Sequence, residues 1–284
     1  MACLAPVATA ADTAAIEIGQ PAIAGEPLRI ATSGSGQATL YLAGPATRLK
    51  RPIQLGESIL LEAQQVREAG LYTVTVRSST GAPASRTFYV APAAPANINF
   101  LAQPSRVPAG AGDAISGTAF VLDAFHNLVL APVPVKFEWT IAGAPPLSRT
   151  VDTRDGVAWV RMDSSRRAGA AQFTASAGPV SVRRIVQQTA AEPCNLRMHA
   201  EPGKLGAAAG IVVRTDPVRD CAGNPVPDGT IVTFTALDAQ GKSTVDAVVK
   251  RGIANAQLPA SARATLWVAS GVVIGNEIHW GGGQ

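Results

Sequence analysis

Cysteines, aromatic residues and charges are scarce in this chain of 284 residues. It has three cysteines, 5% aromatic residues and 15% charged residues, whereas 47% of its residues are hydrophobic. That hydrophobic share excludes a wholly disordered protein. No apolar run reaches the roughly 18 to 20 residues that a transmembrane helix needs. We therefore predict a globular chain without a membrane span.

The sequence also lacks the usual motifs of catalysis and metal binding. It contains no H-x-x-H, C-x-x-C or G-x-S-x-G motif and no phosphate-binding glycine loop. Asp152, Asp155 and Asp163 are candidate calcium ligands, but the D-T-R-D-G stretch that holds the first two is typical of a hairpin turn. The three histidines stand in different local contexts: His126, His199 and His279. We predict no catalytic residue, no metal site and no cofactor.

Positive charge is in slight excess, with a formal net charge of +4. Much of the excess lies in one segment and consists of Arg161, Arg166, Arg167, Arg183 and Arg184. A basic patch of this kind is one signature of nucleic-acid binding. Stacking on nucleotide bases needs aromatic residues between the basic ones, and none are interleaved here. We interpret the arginines as a solvated strand face and predict no nucleic-acid partner.

Residues 1–11 are interpreted as a leader, the remnant of a signal peptide. They are mostly apolar and include the small-x-small pattern Ala8-Thr9-Ala10, of the kind that signal peptidase cleaves. The first basic residue is Arg29, so the positively charged start of a signal peptide is missing. The alternative is a disordered alanine-rich leader without a targeting role. We expect an extracytoplasmic protein, located in the periplasm, at the cell surface or outside the cell.

Two stretches of the chain repeat each other. Each contains an Asp and, four residues later, an Asn, which is followed after eight residues by a Val-x-Phe triplet. These residues are Asp123, Asn127 and 135–137 in the first stretch, and Asp220, Asn224 and 232–234 in the second. Further landmarks recur in the same order, about 94 to 98 residues apart. The repetition predicts two tandem domains of similar fold, over about 97–188 and 192–282.

Both repeats have the pattern of β-strands. Hydrophobic residues alternate with others, and a period of two places them on one buried face. The clearest set is Val133, Val135, Phe137 and Trp139. Asp155-Gly156 is a turn pair that predicts a hairpin, with Trp159 as a second core tryptophan. Turn signals every 8 to 12 residues or so are typical of an antiparallel sandwich of about seven strands.

These turns resemble those of a known family. The pattern D-x-x-G-N-P-V, followed by V-x-F and a later glycine and alanine, resembles the bacterial Ig-like domains of group one, which occur in invasins and intimins. The second repeat keeps the whole turn pattern (220–226), whereas the first has His126 and Leu128 where the family prefers Gly and Pro. The resemblance implies Ig-like sandwiches displayed at a cell surface, where such repeats are commonly spacers.

The turn residues also have a purely physical interpretation. Asp and Asn bond neighbouring backbone amides, Gly permits a positive φ, and Pro fixes φ. The six residues concerned are Asp123, Asn127, Asp220, Gly223, Asn224 and Pro225. We predict that they form a structural turn and not a binding motif. His126 stands at the glycine position, so we expect it in a bridge or left-handed conformation.

Residues 12–91 lack this pattern but also predict an Ig-like sandwich. The stretch from Val66 to Val74 resembles the tyrosine corner of Ig folds, in which a tyrosine, here Tyr72, opens a strand and bonds backwards through its hydroxyl. The alternative is a short helix over residues 60–69, which are good helix formers. The proline-rich residues 91–95 are interpreted as a semi-rigid hinge to the next domain.

Cys194 and Cys221 are predicted to form a disulfide. One precedes a strand that runs out and the other follows the strand that returns, so the two ends meet. Such a bond stabilises the domain by about 3 to 4 kcal/mol in the chain-entropy model. The alternative is two buried free thiols in a cytosolic protein.

The sequence as a whole predicts an all-β protein of three tandem Ig-like antiparallel β-sandwiches. We expect a non-catalytic spacer, adhesin or protein-binding scaffold with a protein or cell-surface partner. One alternative is a module that binds carbohydrate or another polymer through exposed aromatics, for which Trp267 and Trp280 are the candidates. Another is a hydrolase with a divergent site, which needs convergent polar groups in a cleft.

Overall fold

The structure, a computed structural model, describes residues 14–79, 81–203, 210–259 and 262–281. The leader predicted at residues 1–11 lies outside the described residues, as do residues 12, 13, 80, 204–209, 260, 261 and 282 of the predicted domains. The regular secondary structure of the described residues comprises 25 strands and a single 3₁₀ turn, Ala63–Gln65. None of its helical segments is long and apolar enough to cross a bilayer. The prediction of an all-β fold is confirmed.

The N-terminal sandwich pairs a three-stranded sheet, β1-β3-β6, with a five-stranded sheet, β2-β8-β7-β4-β5. Its strands are β1 (Ile16–Ile18), β2 (Ala22–Ile23), β3 (Leu28–Thr32), β4 (Gln37–Ala43), β5 (Arg48–Gln54), β6 (Ser58–Leu61), β7 (Gly70–Ser78) and β8 (Ala84–Ala91). Alternate residues such as Leu28 and Ile30 from one sheet, and Leu40 and Leu42 from the other, are buried in a single core. The alternation is the period-two signal of a half-buried strand.

The middle sandwich repeats this arrangement with sheets β14-β11-β9 and β10-β16-β15-β12-β13. Its strands are β9 (Asn97–Gln103), β10 (Arg106–Pro108), β11 (Ile115–Leu122), β12 (Pro134–Thr140), β13 (Leu147–Asp152), β14 (Val157–Met162), β15 (Gly169–Ala177) and β16 (Val180–Thr189). An aromatic cluster fills its core, where the ring of Phe173 lies 5.1 Å from that of Phe100 and 5.5 Å from that of Trp139.

The C-terminal sandwich combines sheets β18-β19-β23 and β22-β21-β24-β25 with the short pair β17-β20. Its strands are β17 (Pro193–Asn195), β18 (Met198–Pro202), β19 (Ile211–Thr215), β20 (Arg219–Asp220), β21 (Ile231–Asp238), β22 (Gly241–Val248), β23 (Asn255–Leu258), β24 (Ala264–Ser270) and β25 (Val273–Trp280). Phe234, Leu266 and Val268 are fully buried in its core.

Two short strand pairs are parallel, which the prediction of antiparallel sandwiches did not include. β2 pairs with β8, and β10 pairs with β16, in parallel. In both cases the first strand of the sandwich, β1 or β9, pairs antiparallel in one sheet. The chain then crosses to the other sheet while keeping its direction, and so it meets the last strand in parallel.

The turn at Asp155-Gly156 is present, but the predicted hairpin is wrong. Both residues have positive φ, 50° and 80°, and the turn is closed by two backbone hydrogen bonds between Arg154 and Val157. β13 before the turn pairs with β12, whereas β14 after it pairs with β11 in the opposite sheet. The turn therefore carries the chain from one sheet to the other, because β14 finds a partner of six residues there.

Of the two predicted core tryptophans, Trp139 is buried but Trp159 is 56% exposed. On β14 the buried row consists of Ala158, Val160 and Met162, so Trp159 faces outward with Arg161. Period two fixes which residues share a face but not which of the two faces turns inward.

The segment around Tyr72 consists of a strand, a turn and a second strand. The predicted alternative helix over residues 60–69 is reduced to the 3₁₀ turn Ala63–Gln65 after β6. A capping box between Glu62 and Gln65 holds this turn.

We predict that Gly117→Ala destabilises the middle sandwich. A Cβ atom at Gly117 would lie 2.8 Å from the ring of Phe173 and 3.1 Å from that of Phe100, so the aromatic core must shift. Overpacking of this kind costs about 1 to 3 kcal/mol. Gly112→Ala is the control, since a Cβ there would have Asp163 Oδ1 at 3.8 Å as its neighbour, and we expect no loss of stability. Chemical denaturation compares the two, and equal stabilities would contradict the packing argument.

Candidate functional site: the joints between sandwiches

A buried Asp organises a five-residue loop in each of the last two sandwiches. In the loop 220–224, Asp220 Oδ1 accepts hydrogen bonds from the amides of Ala222 (2.9 Å) and Asn224 (2.8 Å). Asp220 Oδ2 accepts from the Asn224 side chain at 2.7 Å and from the amide of Ala191, in the linker, at 3.0 Å. A buried carboxylate needs this many donors because its lost hydration is costly. We call this loop and its counterpart, 123–127, the clasp loops.

The loop 123–127 has the same bonds. Asp123 Oδ1 accepts from the amides of Phe125 and Asn127, both at 2.9 Å. Its Oδ2 accepts from the Asn127 side chain at 2.8 Å and from Ala93, in the predicted hinge, at 3.0 Å. Each Asp therefore fixes its own turn, its linker and the orientation of its Asn.

Each Asn reaches the preceding sandwich. Asn127 Nδ2 donates to the carbonyl of Arg67 at 2.9 Å, and Asn127 Oδ1 accepts from the amide of Ala69 at 2.9 Å. Asn224 does the same with Arg166 (2.7 Å) and Ala168 (3.0 Å). At each joint, one side-chain amide thus holds two backbone groups that are two residues apart in the same loop. We call 67–69 and 166–168 the receiver loops. The contact of 67–69 with Asn127 is the first joint, and the contact of 166–168 with Asn224 is the second joint.

The receiver loops are held from inside by buried side chains. The hydroxyl of Tyr72 donates to the carbonyl of Glu68 at 3.0 Å, as expected of a tyrosine corner. In the middle sandwich the side-chain amide of Gln188 donates to the carbonyl of Arg167, at the corresponding position. Tyr72 and Gln188 are both fully buried. The carbonyl of the middle residue of each receiver loop therefore bonds to a buried side chain of its own sandwich. The backbone groups of the residues before and after it bond to the Asn of the next sandwich.

The prediction that the six motif residues form only a turn is incomplete. In these loops Gly223 has φ +85°, His126 has φ +67° at the corresponding position, and Pro225 pairs with Arg219 in a single β-bridge. The sequence analysis missed that Asn127 and Asn224 also bind the preceding sandwich. A signal was present, because the receiver loops share the sequence Arg-x-Ala-Gly at 67–70 and 166–169.

The two joints differ in what else holds them. At the first, Phe125 packs against the core of the N-terminal sandwich, and its ring covers Gly25 so closely that a Cβ there would lie 2.0 Å from it. At the second, the corresponding residue is Ala222, which is exposed. A cleft of about 580 Å³ lies between the middle and C-terminal sandwiches, lined by residues that include Gly110, Glu192 and Val226.

The structure joins Cys194 and Cys221 in a disulfide at the second joint. Cys221 belongs to the clasp loop and Cys194 to β17, the strand that follows the linker. The corresponding residues of the first joint are Asn97 and Ala124, where the Asn97 side chain donates to the carbonyl of Asp123 at 3.2 Å. The disulfide of the C-terminal sandwich and the Asn97–Asp123 hydrogen bond of the middle sandwich thus lie at corresponding positions of the two sandwiches.

Burial and hydrogen bonding shift two pKa values at these sites. Burial raises the pKa of Tyr72, and hydrogen bonds with Thr47 and Glu68 offset this only in part. Burial also acts to raise the pKa of Asp220, but its bonds from Asn224, Ala191 and Ala222 outweigh it, so the pKa lies below the ordinary 3.8. Asp220 is therefore a stable anion at neutral pH.

The other candidate residues do not converge. Trp267 lies on the outer face of its sheet with Lys242 5.9 Å from its ring centroid, whereas Trp280 packs against the core from the inner face. The two indoles therefore cannot form one binding platform. Asp163 accepts the amide of Asp113 at 2.8 Å. Among the described residues there is no group of three or more His, Cys, Asp or Glu side chains placed to hold a metal ion.

Three solved structures are similar to this chain. FdeC, an Escherichia coli adhesin, has a TM-score of 0.59 and 14% identity over 94% of this chain and 95% of its own. InvD of Yersinia pseudotuberculosis has a TM-score of 0.52 and 12% identity over 95% of each chain. Invasin, a bacterial integrin-binding protein, has a TM-score of 0.52 and 14% identity over 92% of this chain.

This chain spans 57% of the length of the invasin structure. No protein-family model matches it, and no curated protein matches it in sequence. At identities this low the likeness shows the fold, and it confirms the invasin-type Ig-like fold that the turn motifs implied.

We predict that Asn224→Ala opens the second joint only. The amide of Ala168 loses its acceptor, so its hydrogen exchange should accelerate about tenfold, which corresponds to about 1.4 kcal/mol. The amide of Ala69, which bonds to Asn127, should be unaffected. Asn127→Ala should give the reverse pattern. Exchange rates measured by NMR for both variants test this, and equal effects at both amides would contradict independent joints.

Acid should destabilise the C-terminal sandwich through Asp220. Because its folded pKa is lowered, its contribution to stability is complete above the unfolded pKa, near 3.8, and is lost as the pH falls through the folded pKa. Asp220→Asn should be less stable at pH 7 and less dependent on pH below 4. Calorimetry from pH 7 to pH 2.5 measures both, with Asp246→Asn, an exposed carboxyl on β22, as the control. An unchanged acid slope in Asp220→Asn would contradict the prediction.

Proposed function

We propose that this protein is a non-catalytic structural or adhesion protein of the cell envelope. In this proposal its row of Ig-like sandwiches acts as a spacer or as a protein-binding scaffold. The observation that carries the proposal is that the joint occurs twice. At each joint an equivalent Asp-Asn pair bonds one sandwich to the sandwich before it in the chain.

A spacer needs joints that resist bending. A flexible linker lets neighbouring domains reorient freely, which is the default for small interfaces. Here each linker is bonded to a buried Asp, and each Asn bonds two backbone groups of a receiver loop. Tyr72 and Gln188 tie the receiver loops to their cores. The orientation of one sandwich is therefore transmitted to the next through hydrogen bonds with little freedom to rotate.

Other observations support a place outside the cytoplasm. A disulfide between Cys194 and Cys221 is typical of an oxidising compartment. The similar structures FdeC and InvD match this chain over nearly its full length in fold, and FdeC is an adhesin. We propose a protein or another cell-surface molecule as the partner.

Small-angle X-ray scattering tests the spacer role. The wild type should give a narrow distribution of the maximum dimension of the particle. In the double variant Asn127→Ala/Asn224→Ala this distribution should be broader, and the mean maximum dimension should be shorter. Asn255→Ala, an exposed Asn on β23, is the matched control. A wild type as flexible as the double variant would show that the clasp loops do not set the geometry.

Cell fractionation of the native host tests the location. The protein should be found in the envelope or the medium, and alkylation without reduction should leave Cys194 and Cys221 unlabelled. A cytoplasmic protein with both thiols labelled would remove the envelope part of the proposal and leave the spacer part to the scattering experiment.

A further inference from the structure

The second joint has lost the apolar contact that supports the first. Phe125 of the first joint packs against the neighbouring core, whereas Ala222 takes its place in the second. A cleft of about 580 Å³ lies beside the second joint. Beside this joint, within the C-terminal sandwich, lies the disulfide, where the first joint has the hydrogen bond between Asn97 and Asp123.

The disulfide lies outside the core of its sandwich. Cys194 and Cys221 are both exposed, and the buried core cluster begins at Leu196 and does not include them. The bond connects the strand after the linker to the clasp loop that carries Asn224. It therefore restrains the position of the clasp loop more than the packing of the sandwich.

Exposure also makes the bond open to attack. A thiolate must approach one sulfur in line with the bond, which is possible only where that sulfur is accessible. Exposed disulfides are the ones that serve as labile or regulatory bonds, whereas buried ones resist reduction.

We propose that Cys194–Cys221 is a thiol-exchange site that controls the stiffness of the second joint. A thiolate of a dithiol reductant attacks one sulfur and forms a mixed disulfide, and the other cysteine leaves as a thiolate. The second thiol of the reductant then displaces the first cysteine. Two electrons and two protons pass to the protein, and the dithiol becomes a cyclic or intramolecular disulfide.

Reduction removes a covalent restraint on the clasp loop of the second joint. Asp220 and Asn224 keep their partners, and the backbone pairing of β17 with β20 remains. The covalent bond between β17 and the clasp loop is lost, and Ala222, which stands in place of Phe125, offers no ring to support the loop. The first joint contains no cysteine among residues 67–69 and 123–127 and so cannot respond. One joint is therefore redox-sensitive and the other is not.

Residual dipolar couplings of the full chain test this, with dithiothreitol as the reductant. Oxidised, the middle and C-terminal sandwiches should share one alignment tensor. After reduction, the C-terminal sandwich should remain folded, but its alignment tensor should differ from that of the middle sandwich. The N-terminal and middle sandwiches should still share one tensor. The double variant Cys194→Ser/Cys221→Ser should behave like the reduced protein without any reductant.

Three results would overturn the proposal. The disulfide could resist dithiothreitol in the folded protein, which would deny the exchange site. The tensors could stay shared after reduction, which would deny control of the joint. The C-terminal sandwich could unfold on reduction, which would make the bond a support of the fold. A flexible first joint in both states would contradict the spacer proposal instead and leave this one standing.

Discussion

The buried pairing of Asp with the Asn four residues later is the interaction on which the arrangement of the sandwiches depends. Asp123 and Asp220 are carboxylates almost without solvent exposure, and a charge in that position is tolerated only when donors surround it. The donors are two amides of the loop, one amide of the linker and the amide group of the Asn. Because the Asn side chain is oriented by the carboxylate, its remaining donor and its acceptor point at the preceding sandwich.

The bonds between each Asn and its receiver loop require a particular backbone geometry but no particular side chains in that loop. The Asn bonds only backbone atoms, so the side chains of Arg67 and Arg166 take no part in the hydrogen bonds to it. What must be fixed is the path of the backbone, and two different buried donors, Tyr72 and Gln188, fix it. Since both lie within a core, the packing of one sandwich determines where the next one sits.

The two joints differ in what accompanies the hydrogen bonds that they share. Phe125 supplies apolar burial, which needs a matching surface on the neighbour, here the space over Gly25. Cys194 and Cys221 supply a covalent bond, which needs no matching surface but depends on the redox state of the surroundings. The two joints thus share one hydrogen-bonding scheme, to which a buried ring is added at the first and a disulfide beside the second.

The sequence by itself determined the all-β class, the repeats, the turn residues and which residues share a strand face, because these depend on local preferences and on a period of two. It could not determine which face of β14 turns inward, so Trp159 was misplaced, nor that the Asp155-Gly156 turn connects two sheets. Sheet pairing decides both, and it involves residues far apart in the chain. Only the tertiary structure showed that Asn127 and Asn224 join sandwiches, because their partners are backbone atoms that lie 56 to 60 residues away in the chain.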